Sequence, residues 1–275
     1  MSEPNENEVE NKLDIENAEY WDEPCGTNAF RDLGFESKLE FDNWYFDFYP
    51  YLEKHIPFSE MSGKKVFEVG LGYGTVSQKI MEANAIYYGM DIAKGPVDLV
   101  QNCLEDLGVE GYVKQGSILE CPYEDNSFDY IISIGCIHHT GDIKKSIEEL
   151  HRILIKDGIG VIMIYNAFSY RQWISAPLIT LKQLINEIRG SENTRYAKEE
   201  ERMKYDHNSN EVANPFTEFI GKKGLRKITK PLFSNTDIVI ENIGDEGFLS
   251  KIPRNIKNKI FGHIVGLDLY INLRK

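Results

Sequence analysis

Long apolar runs are missing from this 275-residue chain. None approaches the roughly 20 residues that a membrane-spanning helix needs, so no membrane span is expected. Cysteine is scarce as well. The four present, Cys25, Cys103, Cys121 and Cys136, lack CxxC spacing; they offer neither a zinc site nor a disulfide framework, and they suit a reducing compartment. Basic charge is in deficit. The formal net charge of −13 argues against a nucleic-acid partner, because neutralising phosphates needs a basic surface. The first 24 residues hold nine acids against one lysine and no apolar run, so no signal peptide is expected. No local cluster of acids and amides marks a metal site, and no metal is expected. The expectation is a soluble, cytoplasmic protein of one large domain, or of one domain with an insertion.

What is present centres on Lys64 to Ala93. Val66-Phe67-Glu68-Val69 is a short β-branched and aromatic run between Gly63 and Gly70, which reads as a buried strand. Gly70-Leu71-Gly72-Tyr73-Gly74 follows, and from Thr75 a helical pattern sets Val76, Ile80 and Met81 on one face. A second strand, Ile86 to Met90, ends on Asp91. This is one βαβ unit. Glycines without a Cβ let the backbone turn sharply and let a ligand lie against it. The helix start points unpaired N–H groups and partial positive charge over the turn. Asp91, after the second strand, can accept two ribose hydroxyl hydrogens. Together these features point to a cofactor that contains a nucleoside.

Glycine spacing separates the candidates. A dinucleotide fingerprint reads G-x-G-x-x-G, but Thr75 occupies the third glycine's place. The E-x-G-x-G-x-G pattern from Glu68 to Gly74 instead resembles motif I of the class I S-adenosylmethionine-dependent methyltransferases, small-molecule enzymes of the methyltransferase type 11 kind. The resemblance implies that Glu68 lies near the methionine end of the cofactor and that Asp91 holds the ribose. It also implies cofactor contacts at Gly70, Gly72, Tyr73, Gly74, Ile92, Gly116, Ser117, Ile118 and Gly135. Ser117 stands where many relatives carry an Asp that accepts from the adenine amino group. Leu119-Glu120-Cys121-Pro122-Tyr123 through Ser127-Phe128-Asp129 is similar to the family's LP(F/Y)-x-(D/E)-x-SFD segment, with Cys121 for the usual Leu.

The rest of the chain supplies further elements. Residues 1 to about 18 are acidic and read as a disordered or loosely held arm. Tyr20 to Thr27, with two large aromatics beside Pro24 and Gly26, reads as an ordered loop that covers the site or packs on the surface. From Ser37 to Ile56 aromatics fall at helical spacing, with Ser37 and Glu40 as a capping box and Pro50 as a kink; Tyr45, Tyr49 and His55 are the members that can reach a pocket. Val97 to Leu107 and Asp142 to Ile155 read as helices. Gly111 to Gln115, Phe128 to Ile134 and Ile159 to Tyr165 read as strands three to five. Trp173 to Ile188 reads as one further helix, 191–211 is charge-rich, and Ile220 to Leu232 has helical spacing. Thr236 to Ile243 and Leu267 to Leu273 read as two closing strands.

The expected architecture is an α/β, Rossmann-like, doubly wound seven-stranded mixed sheet with a closing antiparallel hairpin and a lid insertion after the fifth strand. Residues 1–36 form the acidic arm and ordered loop, 37–275 the methyltransferase domain, and 166–235 the lid. Methyl transfer from a sulfonium is an in-line displacement, so the protein mainly aligns the partners. A base is needed only when the acceptor must lose a proton. His138 and His139, after the central strand, are the candidates, His138 ahead of His139. The functional expectation is S-adenosylmethionine-dependent methylation of a small organic acceptor. A non-catalytic nucleoside-binding module and an NAD-dependent oxidoreductase are the alternatives.

Overall fold

A computed structural model describes residues 6–25, 34–190, 194–244 and 251–275. Seven strands form one mixed sheet: β1 (Lys65–Val69), β2 (Ile86–Asp91), β3 (Gly111–Gln115), β4 (Phe128–Ile134), β5 (Leu154–Tyr165), β8 (Asn235–Glu241) and β9 (Asp268–Arg274). Between β5 and β8 lies a separate two-stranded antiparallel sheet of β6 (Arg195–Tyr196) and β7 (Glu218–Phe219). The order across the large sheet is β3-β2-β1-β4-β5-β9-β8. The first five are parallel; β9 runs antiparallel to both β5 and β8. This is the Rossmann-like sheet with its closing hairpin. Order reverses between β1 and β4, which opens a crevice at the strands' carboxyl ends.

Strand alternation divides two cores. Val66, Tyr130, Ile132 and Tyr270 face one side, where they meet Val76, Ile80, Leu99 and Leu104. Phe67, Val69, Ile131, Leu269 and Ile271 face the other, where they meet Ile143, Ile147 and Leu150. The first layer is made by α3 (Thr75–Glu82) and α4 (Lys94–Leu107), the second by α5 (Ile143–Ile153); α1 (Glu6–Asp22) and α2 (Lys38–Phe48) precede them. In α2 (Lys38–Phe48) the Ser37 hydroxyl accepts the Glu40 N–H at 3.2 Å, and Glu40 accepts the Glu36 N–H at 3.0 Å. That helix ends before Pro50, and a short turn resumes at Leu52–His55, as proline's missing N–H requires.

Four expectations need correction. The acidic start is helical: α1 spans Glu6–Asp22, with Asn17 and Tyr20 buried. Its end includes Tyr20 and Trp21, so the expected loop is helix to Asp22 and a turn to Cys25, while Gly26 and Thr27 lie outside the described residues. The helix read from Trp173 to Ile188 is two, α6 (Tyr170–Ser175) and α7 (Pro177–Ile188), because Pro177 sits in the first turn of the second and cannot donate. The stretch 166–235 is not all lid. Its last helix, α8 (Lys222–Thr229), buries Leu225 and Ile228 in the core shared with α5 and so covers the sheet.

Candidate active site

The carboxyl ends of the parallel strands open into one cavity of about 440 Å³. One half lies over β1, β2 and β3. There the glycine turn is left-handed at Gly70, Gly72 and Gly74. A Cβ on Gly70 would stand 2.4 Å from the Cys136 Cβ, so only glycine lets β1 and the loop after β4 approach. Around Gly72 no atom of the described residues lies within 4 Å of the Cβ position; among them the turn presents bare backbone to the cavity. Asp91 holds this turn. Its Oδ2 accepts the Leu71 N–H at 2.7 Å and its Oδ1 accepts the Ala93 N–H at 2.9 Å. The Gly72 and Ile92 N–H groups also favour its charged form, and the carboxylate lies in the cavity lining where ligand hydroxyls can reach it. Burial raises its pKa, against the backbone N–H groups that lower it.

Glu68 lines the same half. Burial pushes its carboxyl up to about 7, although the Tyr87 hydroxyl donates to Oε2 at 2.7 Å and favours the charged form. Ser117 closes the far side. Its hydroxyl accepts the Leu119 N–H at 3.4 Å and still has its own hydrogen to donate.

The other half lies over β4, β5 and β9 and is built from distant segments. From α1, Asn17 donates to the His139 carbonyl at 2.9 Å, and the Trp21 ring sits 4.9 Å from the His139 ring. His139 Nδ1 is 2.7 Å from the Phe216 carbonyl oxygen, which can only accept. Nδ1 therefore carries the hydrogen and Nε2 the lone pair. Nε2 is buried and makes no hydrogen bond among the described residues; Asp206 Oδ2 lies 3.7 Å from it. Asp206 also accepts from the Tyr165 hydroxyl, at 2.9 and 3.0 Å to its two oxygens. Burial lowers the His139 pKa and raises that of Asp206. Asp268, first residue of β9, is set beside Tyr165 by the strand register. Its Oδ2 accepts from Asn242 at 2.9 Å, and burial pushes its carboxyl up to about 7.

Residues 67–162 match a family model described as a methyltransferase domain. That segment, about a third of the chain, is a methyltransferase domain of the class I S-adenosylmethionine-dependent kind. An uncharacterised methyltransferase of Anoxybacillus flavithermus is 30% identical over 127 residues, covering 45% of this chain and 57% of that protein. Ajmaline N-methyltransferase of Rauvolfia serpentina is 31% identical over 97 residues, covering 34% and 33%. The chain thus spans between a third and little over half of these relatives. Among solved structures, the PH0226 protein of Pyrococcus horikoshii superposes with a TM-score of 0.53 at 16% identity, over 91% of this chain and 95% of that one. A methyltransferase of Mesorhizobium loti gives 0.54 at 13% identity, over 82% and 96%. Those likenesses are of fold. S-adenosylmethionine is the cofactor of such a domain, which sets aside the NAD-dependent alternative.

The methyltransferase cavity brings together most of the residues expected from sequence: Glu68, Gly70, Gly72, Tyr73, Asp91, Ile92, Gly116, Ser117, Ile118, Gly135 and His139 all line it. The open face at Gly72 and the Asp91 carboxylate in the cavity lining fit a nucleoside cofactor. Two expected residues do not line it. Gly74 is kept small by packing, since a Cβ there would meet Leu99 Cδ2 at 2.4 Å. His138 is fully buried behind the wall, its ring 4.1 Å from that of His139 and 4.2 Å from that of Tyr165. Of the two histidines, His139 meets the cavity and His138 does not. Tyr45 and Tyr49 reach the cavity, whereas His55 stacks on Tyr270 at 4.4 Å outside it. Sequence reading missed Arg171, Tyr205, Asp206, Asn242 and Asp268, which line it from the insertion and the closing hairpin.

Proposed function

We propose that the chain methylates a small organic acceptor, bound in the same cavity as S-adenosylmethionine. The observation that carries this reading is that one cavity of about 440 Å³ joins the glycine turn and Asp91 to a second, separately built polar and aromatic half. Its size falls in the range of about 300–1,000 Å³ usual for small ligands. The names of two matched relatives, ajmaline N-methyltransferase and sarcosine/dimethylglycine N-methyltransferase, point the same way.

When bound, S-adenosylmethionine would supply a methyl group on a positively charged sulfur, for in-line transfer to a lone pair of the acceptor with sulfur as the leaving group. The chain's residues bind and orient. Glu68, the backbone at Gly72, Asp91 and Ser117 hold the cofactor. Trp21, Tyr165 and Tyr205 wall the acceptor and exclude water. Where the acceptor must lose a proton, the Asp206–His139 pair takes it: Phe216 fixes the tautomer that leaves Nε2 basic, and burial keeps the imidazole neutral. Release of S-adenosylhomocysteine should be measured with pools of small amines and phenols against peptide and RNA pools. Turnover confined to small molecules is the expected result. Turnover on peptide or RNA alone would sink the small-acceptor reading, and cofactor binding without turnover on any pool would favour a binding module.

A further inference from the structure

Resting on the methyltransferase reading, we infer that the acceptor is an amine, held as a cation by Asp206 and Asp268 within the aromatic wall. Charge balance in the cavity is the first ground. Its described lining includes five carboxylates, Asp14, Glu68, Asp91, Asp206 and Asp268, against one guanidinium, Arg171. Glu68 and Asp91 serve the cofactor half. Asp206 and Asp268 serve the other, and the charge of Asp206 adds to the burial that makes ionised Asp268 costly. A buried carboxylate pair of this kind gains most from a ligand cation placed beside it.

The aromatic wall is the second ground. Tyr165 and Tyr205 lie 4.7 Å apart, and Trp21 covers His139 at 4.9 Å. Ring faces attract cations, and an aromatic pocket is the usual receptor for substituted ammonium groups. Arg171 already rests 4.6 Å over the Tyr205 ring, so that wall holds a cation within the chain itself.

The third ground is the unpartnered His139 Nε2, in a residue only 5% exposed, on the side where Asp206 faces the cavity. An ammonium has no lone pair until it gives up one proton. The Asp206–His139 pair accepts that proton and passes it to solvent, and the methylated product leaves as an ammonium. One proton is released per methyl transferred, and no other reactant is required. A carboxylate acceptor, or a phenol once it has lost its proton, would instead bring negative charge against Asp206 and Asp268.

The test uses the full chain saturated with S-adenosylhomocysteine at mildly alkaline pH, titrated in a calorimeter with choline and with its neutral isostere 3,3-dimethylbutan-1-ol. Choline is expected to bind about tenfold or more tighter, the worth of a desolvated cation–π contact and a charge-assisted pairing. Asp206→Asn and Asp268→Asn should each remove most of that preference while S-adenosylhomocysteine affinity holds. Equal binding of the two probes, preference for the isostere, or no binding of either to the loaded protein overturns the amine assignment alone. Failure of S-adenosylhomocysteine itself to bind overturns the methyltransferase reading beneath it.

Discussion

Glu68 gives a stability test that depends on the site's geometry alone. The carboxyl is 3% exposed, and burial pushes it from an ordinary 4.5 up to about 7. Between those values the folded chain holds a proton that the unfolded chain has released. The folded state therefore binds more protons, and stability falls as pH rises through the window. The gap between 4.5 and 7, at about 1.4 kcal/mol per pH unit, makes ionised Glu68 cost about 3 kcal/mol above the window. Glu68→Gln keeps the shape and leaves a hydrogen-bonding partner for Tyr87, but it does not titrate. Urea unfolding of both proteins without cofactor, at about pH 4 and about pH 8, isolates the effect. Asp268, His138 and His139 also titrate, yet they are common to both chains and cancel in the double difference. The variant should gain about 3 kcal/mol on the wild type between the two conditions, and saturating S-adenosylmethionine should shrink that gain. Parallel curves for the two proteins would show that Glu68 is hydrated or paired, and that the cofactor half of the cavity is not as described.

Other outcomes follow from the same contacts. Asp91→Ala should weaken S-adenosylmethionine binding more than tenfold, since a charge-assisted hydrogen bond is worth about 1.5–3 kcal/mol; unchanged affinity by calorimetry in a folded variant would refute the ribose role. His139→Asn should lower kcat about a hundredfold, with the KM for S-adenosylmethionine little changed, and a variant as fast as the wild type would remove His139 from the proton path. His138→Phe should keep cofactor binding and turnover. Burial lowers the His138 pKa below 6.5, so its neutral form stabilises the fold above that value and the contribution is lost as pH falls. The variant should lessen acid destabilisation by up to about 1.4 kcal/mol per pH unit, and an unchanged acid limb in urea unfolding would count against this.

The βαβ core and the five parallel strands were legible because their signals are local. Val66 to Val69 is an apolar run between glycines, Asp91 ends the next one, and Asp142 caps α5 by accepting the Lys145 N–H at 2.8 Å. The acceptor half was legible only in part, because it is assembled by distant pairings. Asp206 sits in a stretch whose charge reads as solvated surface, and nothing local marks Asp268 until the antiparallel register sets it beside Tyr165. Charge also concealed α1. Nine acids outweighed a weaker signal, Leu13, Asn17 and Tyr20 at helical spacing, in which Asn17 and Tyr20 are buried and Leu13 Cδ2 lies 2.8 Å from the Cβ position of Gly141. Which of His138 and His139 lines the cavity was not legible, because adjacent residues in a tight turn point to different surroundings. Only packing decides which of them meets the cavity.

The central claim is that the bare turn at Gly72 is the seat of S-adenosylmethionine. It is tested most directly by calorimetric titration of S-adenosylhomocysteine into the wild type and Gly72→Val, with circular dichroism on both. Gly72 has a left-handed backbone and open space at its Cβ position, so valine brings strain and fills the room a ligand would occupy. The account predicts one-to-one binding to the wild type and none to a folded Gly72→Val. Binding of equal affinity to both proteins, or to neither, would contradict it.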